Sequence, residues 1–150
     1  MYKLYLFLLA GVICVSLFAG IIVAPCIFYP ANQELLNLSK FQSGLIMSGI
    51  FIKYAYVLIA ISVFSLFFEI FNKCSFKLKI FRIILSLLVL IAALIFNFYY
   101  NANIINMQKM GEIVTNSTEF IKIHKESELC FKIIVIMQLC LFFTKIRSSK

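Results

Sequence analysis

From Leu4 to Phe28 the chain carries no charged side chain. At ~1.5 Å per residue, such a run of about 25 residues crosses a ~30 Å hydrocarbon layer as a helix. It is too long for the ~7–15-residue apolar region of a signal peptide. Val23-Ala24-Pro25-Cys26 has the outline of a lipoprotein cleavage box, but a proline directly before the cysteine disfavours processing. The run therefore reads as a first membrane helix. Within it Ser16, Gly20 and Ala24 recur every four residues and share one helical face. A face of small residues lets another backbone approach closely in lipid. Pro25 then interrupts the ladder, because it has no N–H and its ring crowds the carbonyl of Ile21. The Ser16/Gly20/Ala24 face is expected to pack within the bundle or to join copies of the chain in a homo-oligomer.

Three further apolar runs follow. The 150 residues are 63% hydrophobic with a mean hydropathy of +1.04, against ~45–50% apolar in an ordinary soluble domain. The expected fold is all-α: an integral membrane four-helix bundle forming a single domain over residues 1–150. Its spans are placed at about 4–28, 43–68, 80–103 and 118–145. The third and fourth helices should extend as a hairpin beyond the outer face. The third continues through Tyr99, Asn103 and Asn106 to about Met110, and Gly111 with Thr115-Asn-Ser-Thr118 marks the turn. Asn116 and Glu119 have capping-box spacing for the fourth helix. Leu35, Leu36 and Leu38 are expected to hold the 31–40 connection at the interface.

The net charge of +8 lies in short runs between apolar segments. That pattern fits positive-inside topology and anionic lipid, so the expected partner is the bilayer and no nucleic acid. One side collects Lys3, Lys73, Lys77, Lys79, Arg82, Lys145, Arg147 and Lys150. The other holds Lys40, Lys109, Lys122 and Lys125, offset by Glu34, Glu112, Glu119, Glu126 and Glu128. Both termini are therefore expected in the cytoplasm. Richness in Lys, Asn, Ile and Phe fits an AT-rich bacterial genome, which makes the expected location a bacterial inner membrane.

The candidate site residues follow from helical spacing. Lys53 lies about ten residues into the second span, roughly 15 Å deep. A charge there costs at least ~2.5–3.5 kcal/mol on insertion scales. Gly49, Lys53, Tyr56 and Ala60 form one stripe, which predicts an interior position for Lys53 and a packing role for Gly49. On the fourth helix Phe120, His124, Ser127, Phe131, Ile134 and Gln138 form an inward stripe. On the third, Phe96, Tyr99, Asn103, Asn106 and Met110 form another. An antiparallel hairpin would bring His124 to Asn106 and Ser127 to Asn103, a polar seam that joins helices or lines the mouth of a ligand or ion site. The predicted outward mouth comprises Pro25, Lys53, Tyr99, Asn103, Asn106, His124 and Ser127.

Other chemistry is sparse. The single histidine cannot make a bis-His haem site, and Glu119, Glu126 and Glu128 do not share its helical face for zinc. Met107 and Met110 are the weak candidates to join His124 in a copper site. No cofactor is expected. Cys14, Cys26, Cys74, Cys130 and Cys140 make no Cys-x-x-Cys pair and read as small packing residues. There is no phosphate-binding loop, no nucleophile triad spacing and no pair of carboxylates for acid–base work, so nothing points to an enzyme. The expected function is a small structural, binding or transport-accessory module. The alternative is a metal- or haem-handling redox protein using His124 with Met107 or Met110.

Ala24-Pro25 with Phe28, Phe51 with Lys53 and Tyr54, and Phe120-Ile-Lys-Ile-His124-Lys-Glu-Ser127 are three local patterns in a four-span chain. Together they give a chain that resembles a bacterial membrane family, domain of unknown function 4149, related to the eukaryotic transmembrane protein 205. The resemblance covers nearly the whole chain and rests on Ala-Pro-x-x-Phe and Phe-x-x-x-His-x-x-Ser. It implies that Pro25, Phe28, Phe51, His124 and Ser127 match the family pattern. It implies no biochemistry. A weaker resemblance to four-helix copper-resistance and haem-linked oxidase proteins falters on the lone histidine.

Overall fold

The computed structural model of the chain describes residues 1–30, 38–72 and 75–147. Four helices long and apolar enough to cross a membrane account for nearly all of them. They are α1 (Tyr2–Phe28), α2 (Lys40–Phe71), α3 (Phe76–Lys109) and α4 (Thr118–Arg147). The fold is the expected all-α four-helix bundle, and no described residue is in a strand. Its 34-residue α3 is about 50 Å long, well beyond a ~30 Å core. The expected interfacial connection over residues 31–37, with Lys73, Cys74 and Lys150, lies outside the described residues.

Local chemistry sets the ends. Ser39 accepts from the Gln42 N–H while Gln42 accepts from the Ser39 N–H, a reciprocal cap that starts α2. Gly111 sits at φ 103° and ψ 176°, a region essentially reserved for glycine, and turns the chain after α3. A single helical turn, Glu112–Thr115, fills the hairpin. The cap of α4 is Ser117, whose hydroxyl accepts from the Phe120 N–H at 3.2 Å, rather than the expected Asn116.

Two π-helical turns decide which side chains face inward: Ala19–Val23 in α1 and Phe96–Asn101 in α3. A π turn adds one residue to a turn, so every later side chain moves round the axis. In α1 the Ala24 N–H donates to Ala19, five residues back. This π turn lies immediately before Pro25, the residue that lacks a donor for the helix ladder. In α3 the buried positions run Arg82, Ser86, Val89, Ala93 and Phe96 with Asn97, then skip to Asn101, Ile104 and Gln108. The expected stripe assumed a continuous α register. The π turn rotates it away, leaving Tyr99, Asn106 and Met110 exposed.

The inward face of α2 is Met47, Tyr54, Ala55, Leu58, Ser62, Ser65 and Glu69. Gly49, Lys53, Tyr56 and Ala60 lie exposed on its outer side. The interior position expected for Lys53 and the packing role of Gly49 are thereby corrected. The stripe with three small hydroxyl or methyl side chains packs, and the cation takes the outer side, where its stem can snorkel. The α4 stripe faces inward from Ser127 on, with Ser127, Phe131, Ile134 and Gln138 all buried, while Phe120 is half-buried and His124 is exposed. Cys14, Cys26 and Cys140 are exposed rather than packed, and Cys130 Sγ–H points to the Ala92 carbonyl at 3.7 Å.

At the end holding the termini, all four helices are tied by buried charge. The Lys145 ammonium donates to both Glu69 oxygens at 3.0 Å, and the two side chains are 2% and 0% exposed. The ammonium lies 4.8 Å from the Phe68 ring centre and 5.4 Å from that of Tyr5. Arg82 is fully buried and donates to the Thr144 carbonyl. Tyr5 and Ser65 share a hydrogen bond of 3.1 Å, and the Tyr2 hydroxyl donates to the Lys145 carbonyl at 3.3 Å. Arg82 and Lys145 are thus structural residues of the interior, not loop charges that report topology. Lys3, Lys77, Lys79 and Arg147 remain as surface charge at this end.

Candidate functional site: a cavity at the hairpin end

The opposite end of the bundle is open. A cavity of about 530 Å³ lies between the C-terminal halves of α1 and α3 and the N-terminal halves of α2 and α4. That volume falls within the ~300–1,000 Å³ of small-molecule sites. Its floor is aromatic. Phe51 meets Phe131 and Phe96 edge-on, with ring centres 5.2 and 6.0 Å apart, and Phe96 lies 5.5 Å from Phe131. Beside them Ser16 donates to its own helix at Val12 and touches the Tyr54 hydroxyl, which also donates to Val12 at 3.1 Å.

The middle is lined by Met47, Ser48, Asn101, Ile104 and Gln108. Gln108 Nε2 donates to Ser48 Oγ at 3.0 Å and so joins α3 to α2. Gly44 lies close by, and a Cβ there would come into ordinary contact with the Gln108 amide at 3.5 Å. Asn101 is 7% exposed, and its Nδ2 has no hydrogen-bond partner among the described residues. A buried donor left unmade costs ~1–3 kcal/mol, so this amide is poised for an acceptor. The rim carries Lys40, Glu112, His124, Glu128 and Lys132, with Lys132 and Glu128 paired at 2.8 Å. The His124 ring stacks on Phe120, with centres 6.0 Å apart and planes 6° from parallel.

Of the residues expected at a site, Ser16, Gly20, Ala24, His124 and Ser127 line this cavity. Pro25, Gly49, Lys53, Tyr99, Asn103 and Asn106 do not. The polar seam between α3 and α4 does not form as expected. Asn103 Nδ2 donates within its own helix to Tyr99, and Ser127 donates within its own helix to His124. Ser127 and Asn103 are each satisfied by a carbonyl one turn back, which needs no second helix. The expected metal donors are not assembled either. Met107 and Met110 lie outside the lining, Met110 is exposed, and no cluster of three His, Cys, Asp or Glu exists among the described residues.

Asn101, Gln108 and Ser48 were not among the expected site residues. Asn101, Ile104 and Gln108 do have the three–four spacing of a helical face, so a signal was present. It competed with the neighbouring Tyr99/Asn103/Asn106 stripe, which the π turn displaces.

No curated protein and no solved structure matches the chain. The sequence pattern of a family described as a domain of unknown function, DUF4149, matches residues 7–112. That span takes in most of α1 and all of α2 and α3, and it stops short of the Phe120–Ser127 segment. With more than half of the chain matched, including the helices that hold Gly20, Ser48 and Asn101, the protein belongs to the DUF4149 family.

Proposed function

We propose that the protein is a multi-pass protein of a bacterial inner membrane that binds a small amphipathic molecule in its hairpin-end cavity. The observation that carries this reading is the lining itself, an aromatic floor below one buried, unpartnered amide donor. Sites of this kind, mostly apolar with few fixed polar groups, orient a ligand. The two carboxylates of the lining, Glu112 and Glu128, sit at the rim, Glu128 paired with Lys132 at 2.8 Å, and the Ser127 hydroxyl donates to the His124 carbonyl rather than to its ring. The lining supports a binding function, in a structural or transport-accessory role. Surface cations at the opposite end support cytoplasmic termini and an outward-facing cavity.

The test has two parts. In a cysteine-free background, a membrane-impermeant maleimide should label Lys125→Cys in intact cells and Arg147→Cys only after permeabilisation. Native mass spectrometry of wild-type protein, extracted in mild detergent, should show a non-covalently held small molecule in one-to-one ratio. The reverse labelling pattern would contradict the orientation. A bare protein mass at every collision energy that preserves the fold would contradict the binding role.

A further inference from the structure

The cavity is open sideways as well as at its mouth. Over its inner half α1 packs against both α2 and α4, but the segment Ala24–Phe28 packs against α2 and makes no comparable contact with α4. Leu17 and Ile21 line the cavity and are 39% and 66% exposed. Gly20 lies between them, and a side chain built on it would meet nothing within 4 Å. Facing them across the gap are Glu128, Lys132 and Val135 of α4. The π turn and Pro25 fall in this stretch of α1. This exposed, loosely packed stretch of α1 is where a lateral route from lipid would enter.

Resting on the binding role above, we infer that the ligand is a single-chain lipid with a carbonyl next to an uncharged head group. It reaches the cavity from the bilayer between α1 and α4. Three observations select this class. The lining on α4 runs from Phe120 to Val135, about 22 Å at ~1.5 Å per residue, a slot that is long for its 530 Å³. It takes one extended chain, not the body of a diacyl lipid. Asn101 lines the cavity, and its Nδ2 is a buried donor with no acceptor among the described residues, which an ester or amide carbonyl between chain and head would satisfy once the side chain turns toward the ligand. The rim sets Lys40 and Lys132 against Glu112 and Glu128, so it presents balanced charge to the head group.

The probes are monoolein, which has the ester carbonyl, and its 1-alkyl ether analogue, which lacks it. Both are titrated against the full-length protein in micelles and read by native mass spectrometry. Wild type should bind the ester about 10-fold more tightly than the ether, the size expected when a buried donor gains its acceptor. Asn101→Leu should abolish that preference by weakening the ester alone. Gly20→Phe, which fills the opening, should weaken both. Equal binding of ester and ether by wild type overturns the carbonyl assignment, and this arm needs no variant to fold. If Gly20→Phe still lowers both in that case, the binding cavity itself stands. If neither probe binds, or if Gly20→Phe changes nothing, the lipid class and the lateral route are both wrong. A small molecule co-purifying with wild type would then still uphold the binding role.

Discussion

Glu69→Ala should lower the unfolding free energy by about 3–5 kcal/mol, the usual cost of removing one partner from a buried ion pair. The carboxylate holds Lys145 through two bonds of 3.0 Å where neither side chain meets solvent. Without it the ammonium, which lies near the rings of Phe68, Tyr5 and Tyr2, loses both of those charged bonds. Aromatic faces offset only part of a lost carboxylate, since a cation–π contact contributes ~0.5–2 kcal/mol. Replacing both partners, Glu69→Met with Lys145→Met, should recover most of the loss, because two well-packed apolar side chains often match or exceed a buried pair. The measurement is SDS-driven unfolding in mixed micelles followed by far-ultraviolet circular dichroism. The chain has no Trp, so a Trp fluorescence signal is not on offer. A single-variant loss below about 1 kcal/mol, the range of exposed pairs, would show that this end is wet rather than closed.

Phe131→Ala should cost about 3–5 kcal/mol, the range for removing a buried aromatic ring. Phe131 is buried and lies within 6.1 Å, centre to centre, of Phe51, Tyr54 and Phe96. It is both part of the core and part of the cavity floor. Helices in lipid gain little from hydrophobic transfer between themselves, so the loss is one of packing and aromatic contact. Phe131→Leu fills much of the same space and should cost less than half as much. The same unfolding titration reads both variants. Equal losses for Ala and Leu would mean that ring geometry, not filled volume, sets the stability of the floor.

How much of this was legible in the sequence depended on helical register. The four spans could be read because each is a long apolar run, and the α4 stripe could be read because no π turn interrupts it before Gln138. Extending that stripe by three and four residues reaches Leu141 and Lys145, both buried. On α2 the same arithmetic links Ser62, Ser65 and Glu69. The ion pair was therefore within reach. It was obscured because a charge near the end of a span reads first as a topology marker. The α3 face was not legible. A one-residue expansion at Phe96–Asn101 leaves no compositional mark, yet it moves Asn101 and Gln108 inward and Tyr99 and Asn106 outward. Pro25 did mark the corresponding turn of α1, because a proline must be accommodated somewhere upstream. Lys53 misled for an energetic reason. Its cost at mid-membrane argues for burial, but burial without a partner costs more than an outer position from which the stem can snorkel.

The two ends divide the work. Buried charge and hydroxyl contacts close the end that holds the termini, across all four helices. The other end leaves a space that the described side chains do not fill. The most direct test compares Gly20→Phe with Gly11→Phe, since a side chain at either glycine would meet nothing within 4 Å and only Gly20 lines the cavity. Native mass spectrometry of the two variants, purified alike, reads the small molecule each retains. Gly11→Phe should keep it at the wild-type level, and Gly20→Phe should retain at most about a tenth, the loss that goes with ~1.4 kcal/mol of binding free energy. Equal retention by both variants would contradict the cavity as the place where this protein acts.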